Sequence, residues 1–414
     1  MSDSEFFTAE EAADRLGLQI RTLYLYIRQG KIKAQKVGKS LRVPKESVFD
    51  HLSQNRTKGV VVVKVGTQVL LDDDDQLDLN ILKRYAHDIS ELSKDGWKII
   101  LVSSGAMGAG LEVFSGNTIK DRVLRKQVLA SVGQARLMHY YSDFFAKEGY
   151  KVAQVLLERG NFSDRKRFVS MRAVVTEALA NGIVPIVNEN DVIADKELRF
   201  GDNDELAALM AVMMDADKLI ICSSISGLFD CDPKKNSCAQ VVSEVSNIDE
   251  EVLNMCGTSI SEHGMGGMLT KIQSMKMATQ AGIEAFIING KQKNNLTDTI
   301  RGDSFVGTRF LAKKGGMKGF KKWLHAGALS FGKIIVDDGA AVALQKRKSL
   351  LLPGIKSIEG DFEKRDTVDV YNLEGDTVAV GIVNYGSKEL YTELNRKEKR
   401  GKKEVIHVDN ILLL

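Results

Sequence analysis

The apolar positions of this chain follow three different periods. Up to residue 56 they recur at helical spacing, as in Ala9, Ala12, Ala13 and Leu16. From 58 to 310 they gather into short continuous runs: Val60–Val65, Lys98–Ser103, Lys151–Leu157, Ile183–Val187, Lys218–Cys222 and Glu284–Ile288. Such runs predict strands buried on both faces, and the amphipathic stretches between them, such as Asp78–Asp95 and Arg122–Glu148, predict helices. The expected class is therefore α/β, a mostly parallel sheet sandwiched by helices. After a Lys- and Gly-rich linker at 311–328, residues 329–414 read as strands again. Gly332–Val336, Ser349–Leu351, Thr367–Tyr371 and Thr377–Ile382 are separated by glycine turns, which predicts a β-rich domain. The expected division is 1–56, 58–310, 311–328 and 329–414.

Within residues 1–56, Thr8 is placed to cap a first helix whose opening turn carries Glu10 and Glu11. Gly17 stops that helix. A second runs from Ile20 to about Gln29, followed by an alternating hairpin over Ile32–Val43 turning at Gly38, then a short helix from Lys45 to Leu52. From Arg15 to Lys45 there are nine Lys/Arg and no carboxylate. This layout is a winged helix-turn-helix. The segments Phe7–Ala13, Ile20–Tyr24 and Ile27–Ile32 resemble the excisionase and MerR-like DNA-binding family. The resemblance implies double-stranded DNA as a partner, with Arg21, Thr22, Tyr24 and Arg28 on the reading helix and Lys36 and Lys39 on phosphates. A packing or dimerisation module with a solvated basic face is the other reading. Val37-Gly38-Lys39-Ser40 mimics the end of a P-loop, but Lys33 stands where its first glycine is required.

Bulk composition excludes some classes. At 414 residues and 43% hydrophobic, the chain can bury a large core, and no window offers the roughly 18 apolar residues of a membrane span. The acidic first residues do not read as a secretory signal, so the expected address is the cytoplasm. Four irregularly spaced cysteines predict reduced thiols rather than a zinc site, and no metal site is expected of the protein itself. The run Asp72–Asp75 is expected to be a solvated loop.

Chemistry-bearing residues cluster where strands end. Lys64 closes the first apolar run ahead of Gly66, where it can reach a phosphate. Ser103-Ser104-Gly105 follows the second run and opens a helix, where small residues would let backbone N–H groups approach an anion. Asn188–Asp191 ends a further strand, and Gly201–Asp204 opens a helix; these amides and carboxylates suit an ammonium group or magnesium. Gly264–Lys271 is a glycine loop closing on a second lysine at a helix start. Charge neutralisation and alignment of this kind are what phosphoryl transfer needs.

Val63–Thr67, Ser103–Ala106, Val187–Asp191, Gly201–Asp204 and Gly266–Lys271 together resemble the glutamate 5-kinases of the amino acid kinase family. Residues from about Leu329, with Pro353–Lys356 and Asn372–Gly375, resemble a PUA domain. The first resemblance implies ATP-dependent phosphorylation of the L-glutamate side-chain carboxylate, the first step of proline synthesis, with Mg2+ and with proline as feedback inhibitor. It implies that Lys64 and Lys271 neutralise the transferring phosphate and that Asp204 organises the site. Ser104, Gly105, Asn188, Asp191 and Asn203 would hold glutamate. ATP would contact Lys64, Gly66, Ser223, Ser224, Met265, Gly266, Gly267, Met268, Leu269, Thr270 and Lys271. A dimer or tetramer is implied. One departure stands out: Ser223-Ser224 occupy positions where the family has Thr-Asp, which predicts weaker nucleotide binding. Other readings are a different amino acid kinase, such as an acetylglutamate kinase, or an amino-acid-sensing transcriptional regulator. RNA binding through the C-terminal domain and Arg396–Lys403 is a third class, set against a solvated charge run.

Overall fold

The computed structural model describes residues 6–16, 20–28, 30, 32–37, 40–48, 57–72, 74, 76–114, 118–193, 200, 202–233, 236, 238–256, 267–313, 330–395 and 403–413. By internal contacts the chain divides into two compact units: Met1–Gly59 with Glu91–Lys98, and Val60–Ser90 with Ile99–Leu414.

In the first unit β1 (Phe6–Thr8) leads into α1 (Ala9–Arg15), followed by α2 (Ile20–Arg28) and the hairpin β2 (Gln35–Val37) and β3 (Ser40–Pro44). The Thr8 hydroxyl accepts from Glu11 N while the Glu11 carboxylate accepts from Thr8 N, a reciprocal capping box that satisfies two otherwise open donors. Ala9, Ala12, Ala13, Leu23, Ile32, Val43 and Val48 form the core. Phe7, expected at the opening of a helix, lies instead in β1, which pairs antiparallel with β3. Three residues carry no period, so that strand is set by the tertiary pairing. Val37 pairs antiparallel with Ser40, and Gly38 and Lys39 of the P-loop mimic lie outside the described residues. Residues 45–48 are helical, and the rest of the expected Lys45–Leu52 helix lies outside the described residues.

The second unit is built on an eight-stranded sheet. In chain order its elements are β4 (Gly59–Val65), α3 (Thr67–Leu70), α4 (Leu79–Lys94), β5 (Trp97–Ser103), α5 (Ala106–Val113), α6 (Arg122–Lys147), β6 (Lys151–Leu157), α7 (Arg165–Ala180), β7 (Ile183–Glu189), α8 (Asn203–Met213), β8 (Lys218–Ser223), β9 (Glu244–Val245), α9 (Met268–Gln280), β10 (Glu284–Asn289), α10 (Asn295–Arg301) and β11 (Gly307–Phe310). The spatial order is β6-β7-β5-β4-β8-β10-β11-β9. β4, β8 and β10 run parallel, as do β5, β6 and β7 among themselves, and β11 is antiparallel to β10. Valines 61, 62, 63 and 65 are fully buried, as a strand covered on both faces requires. Helix α8 is buried at Asp204 and from Leu206 to Met213.

Among the described C-terminal residues lies a five-stranded sheet, with strands Ser330–Val336, Ile355–Glu359, Thr367–Tyr371, Thr377–Ile382 and Ile411–Leu413. Helices Asp338–Gln345 and Ser387–Leu394 accompany it, although the reading of strands alone did not anticipate them. Val380 and Leu412 from this sheet belong to the same buried cluster as α8. Most of the expected linker, 314–328, and the basic run 396–402 lie outside the described residues. Among the described residues, no helix is long and apolar enough to cross a membrane.

Candidate active site

The parallel strands deliver their carboxyl ends to one edge of the sheet, where ligands bind in open α/β folds. β4 ends at Lys64 and Val65, β5 at Ser103, β7 at Asn188 and Glu189, and β8 at Ser223. Gly66 N donates to Cys222 O at 3.1 Å and Ser104 N to Val65 O at 3.2 Å, so the turns that follow three neighbouring strands are stitched together.

The centre of this edge is Asp204. It is fully buried at the start of α8, and both its oxygens face lysines. Lys64 Nζ lies 2.5 Å from Oδ1, and Lys271 Nζ, from the first turn of α9, donates to Oδ2 at 2.8 Å. Both contacts pair a lysine ammonium with the buried carboxylate. Burial pushes the Asp204 carboxyl up, but the two ammonium charges together outweigh it and hold the group at about 2. A carboxylate and two ammonium groups therefore share one pocket at the sheet edge, with the Asp202 carboxylate close by.

Asp202 builds the turn that places Asp204. Its Oδ1 accepts from Asp204 N at 2.9 Å and Glu205 N at 3.1 Å, capping α8, and its Oδ2 accepts from Thr270 Oγ1 at 2.7 Å. Burial, reinforced by the charge on Asp204, raises the Asp202 pKa above the ordinary carboxylate value.

Beside the lysines runs a chain of amides. Asn203 Nδ2 donates to Ser104 Oγ at 2.9 Å and to Asn188 Oδ1 at 3.0 Å, and Asn188 Nδ2 donates to Gln134 Oε1 at 2.9 Å. Both ends of the chain are open: Asn203 Oδ1 and Gln134 Nε2 are buried with no hydrogen-bond partner. A buried polar atom without a partner costs about 1–3 kcal/mol, so the arrangement favours a ligand that offers one donor and one acceptor. Reading the motifs did not assign Gln134 to the site. It lies in the middle of α6 rather than at a strand end, so the strand-end pattern gave no signal for it.

Gly105 sits at φ 99°, a conformation a side chain would strain, and it precedes α5 with the helix N–H groups not capped by a side chain. Gly110, further along α5, serves helix packing instead. A Cβ there would lie 2.0 Å from Leu129 O, and one on Gly133 would lie 1.7 Å from Ala106 O. These two glycines let the backbones of α5 and α6 touch, which brings Gln134 beside the strand ends.

The remaining expected residues are placed as follows. Asp191 is half-buried in the turn after β7. Ser223 is buried, while Ser224 is exposed with its hydroxyl donating to Gln68 Oε1 at 2.8 Å. Gly66 has room around it: a Cβ would stand 3.5 Å from Lys64 Nζ. Gly267, Met268, Leu269 and Thr270 form the entry to α9, with Leu269 exposed. Met265 and Gly266 lie outside the described residues, as do Gly201, His263 and Gly264. In the first unit Arg21, Tyr24 and Arg28 are exposed on α2 and Thr22 is half-buried. Lys39 and the side chain of Lys36 lie outside the described residues. Around Lys64 the chain offers a metal ion little: Asp204 faces two lysines, and Asp202 is engaged by α8 and Thr270. All four cysteines are free thiols.

Comparison with known proteins agrees with this architecture. Residues 59–289 match the model of the amino acid kinase family, 332–406 that of the PUA domain and 6–56 that of a helix-turn-helix domain. The chain is 39% identical over 367 residues to "Glutamate 5-kinase 2" of Pseudoalteromonas translucida (strain TAC 125), covering 86% of this chain and 99% of that one. It is also 39% identical over 363 residues to "Glutamate 5-kinase" of Caldanaerobacter subterraneus subsp. tengcongensis, covering 86% of this chain and 97% of that one. A solved isopentenyl phosphate kinase aligns with a TM-score of 0.43 and 18% identity, over 61% of this chain and 99% of that one.

Proposed function

The chain belongs to the amino acid kinase family, and from that premise we propose that it transfers the γ-phosphoryl group of ATP to the side-chain carboxylate of L-glutamate. The observation that carries the reading is the meeting of Lys64 and Lys271 on one buried carboxylate, beside an amide chain left open at both ends.

The triphosphate enters over Gly66, with its β- and γ-oxygens taken up by the two ammonium groups. Asp204 keeps those groups charged and fixed before the nucleotide arrives, so little reorganisation is needed as charge shifts during transfer. Glutamate presents its α-ammonium to Asn203 Oδ1 and its α-carboxylate to Gln134 Nε2, with Ser104, Gly105, Asn188 and Asp191 around it. Its side chain, with a pKa of about 4.3, is already ionised at neutral pH. A carboxylate oxygen forms the new O–P bond while the bond to ADP breaks. No proton moves, so the chemistry asks for no general base. Magnesium comes as the MgATP complex, with its oxygens supplied by phosphates and water. On the nucleotide side stand Ser223, Ser224 and Gly267–Lys271.

Purified protein given MgATP and glutamate should form an acyl phosphate that hydroxylamine traps as the hydroxamate. Better turnover of acetylglutamate or aspartate would reassign the acceptor. Proline as feedback inhibitor, a dimer or tetramer, and a cytoplasmic address accompany this reading.

A second activity, DNA binding by the first unit, is supported by α2. Arg21, Tyr24 and Arg28 share its exposed side within a segment free of carboxylates. Binding to duplex DNA should weaken steeply between about 50 and 200 mM salt, and Arg21→Ala with Arg28→Ala should flatten that slope. Retention on DNA that ignores both salt and these changes would reject it.

A further inference from the structure

The reading above leaves unused the hydroxyl of Thr270. It lies 2.7 Å from Asp202 Oδ2 and 2.9 Å from Gly267 O, and it has only one proton to donate. The first acceptor caps α8, the helix that begins with Asn203 and Asp204. The second is the N-cap residue of α9, at the foot of the glycine loop and one turn before Lys271. The hydroxyl thus stands between the helix start that meets the acceptor and the helix start that meets the nucleotide. The neighbouring link between the two helix starts, Lys271 to Asp204, is the one that phosphate oxygens would compete for.

We propose that the Asp202–Thr270 hydrogen bond couples the two substrate subsites, making Thr270 and Asp202 positioning residues for the transfer. The inference rests on the glutamate kinase reading and deepens it. When phosphates draw on Lys271, Asp204 loses one partner, and the Thr270 bond is what keeps α8's first turn registered against α9. The nucleotide therefore binds with a helix start already held, and the acceptor binds to an ordered Asn203. Hydrogen bonds to a charged carboxylate are the stronger kind, about twice a neutral pair, which is enough to carry such coupling. The linkage is reciprocal: ATP should tighten glutamate by the same factor that glutamate tightens ATP.

The test is titration calorimetry of glutamate into the full-length protein, with and without magnesium and a non-hydrolysable ATP analogue. For the parent protein the analogue should tighten glutamate by about 5-fold or more. Thr270→Val should bring that factor to within about 2-fold of one, and Thr270→Ser should restore it. Asp202→Ser keeps a capping hydroxyl but is too short to reach Thr270, so it should behave like Thr270→Val, and the two together should lose no more than either alone. A parent protein with a factor of one overturns the proposal, as does a folded Thr270→Val that keeps the full factor. Should Thr270→Val fail to fold, Asp202→Ser decides by the same criterion. If glutamate does not bind in either state, the substrate reading fails instead. The same titration is then run with whichever amino acid the parent phosphorylates.

Discussion

Asp204 divides its carboxylate between two lysines far apart in sequence, with Lys64 Nζ 2.5 Å from one oxygen and Lys271 Nζ 2.8 Å from the other. The three charges are buried, so removing the middle one leaves two ammonium groups facing each other. Losing one partner of a buried ion pair typically costs about 3–5 kcal/mol. Asp204→Ala should lower stability by an amount of that order in a denaturant titration and reduce kcat at least about 100-fold.

The same group sets an acid limit. Its carboxyl is held at about 2, below the ordinary 3.8, so its charge contributes stability that is complete above about pH 4. That contribution is lost as pH falls through about 2. Denaturant midpoints measured from pH 5 to pH 2 should therefore converge for the parent protein and Asp204→Asn. Parallel curves would contradict the pairing.

Gln134 lies within α6, far in sequence from the strand-end motifs, yet it extends the chain that runs through Asn188 and Asn203 to Ser104. Gln134→Leu should raise the KM for glutamate about 10-fold or more while leaving the KM for ATP within a factor of about three. Steady-state kinetics with each substrate varied separately checks this.

Gly133 tests how that residue is placed. A methyl group there would stand 1.7 Å from Ala106 O and 2.3 Å from Gly110 N, and backbone atoms cannot step aside as a flexible side chain can. Gly133→Ala should cost several kcal/mol, at the upper end of single substitutions, and should lower the thermal midpoint.

Ser224 follows β8 at an exposed position, with its hydroxyl on Gln68. Placing a carboxylate there, by Ser224→Asp, should lower the KM for ATP several-fold. An unchanged or higher value would detach this position from nucleotide binding.

Much of the fold is legible because consecutive buried residues make long signals. Lys151–Leu157 and Thr367–Tyr371 begin and end where the apolar pattern does. Among the elements that escape are two short strands. Phe6–Thr8 and Gly307–Phe310 are three and four residues long, and each is fixed by a partner strand distant in sequence. The site divides the same way. Lys64, Ser104, Asn188 and Lys271 mark themselves by ending strands or opening a helix, and the structure gathers them at one edge. That Asp204 would touch both lysines is a three-dimensional fact with no sequence period. Gly110 is legible as a small residue, but whether it makes room for an anion or for α6 is decided only by the carbonyl of Leu129 beside it.

The central claim is that both lysines serve one phosphoryl group passing to a carboxylate. The most direct measurement is hydroxamate formation from MgATP and glutamate by the parent protein, Lys64→Ala and Lys271→Ala. The account predicts product with the parent and at least about a 100-fold loss in each variant. Product formed at parental rate by either variant, or none from glutamate by the parent, would contradict it.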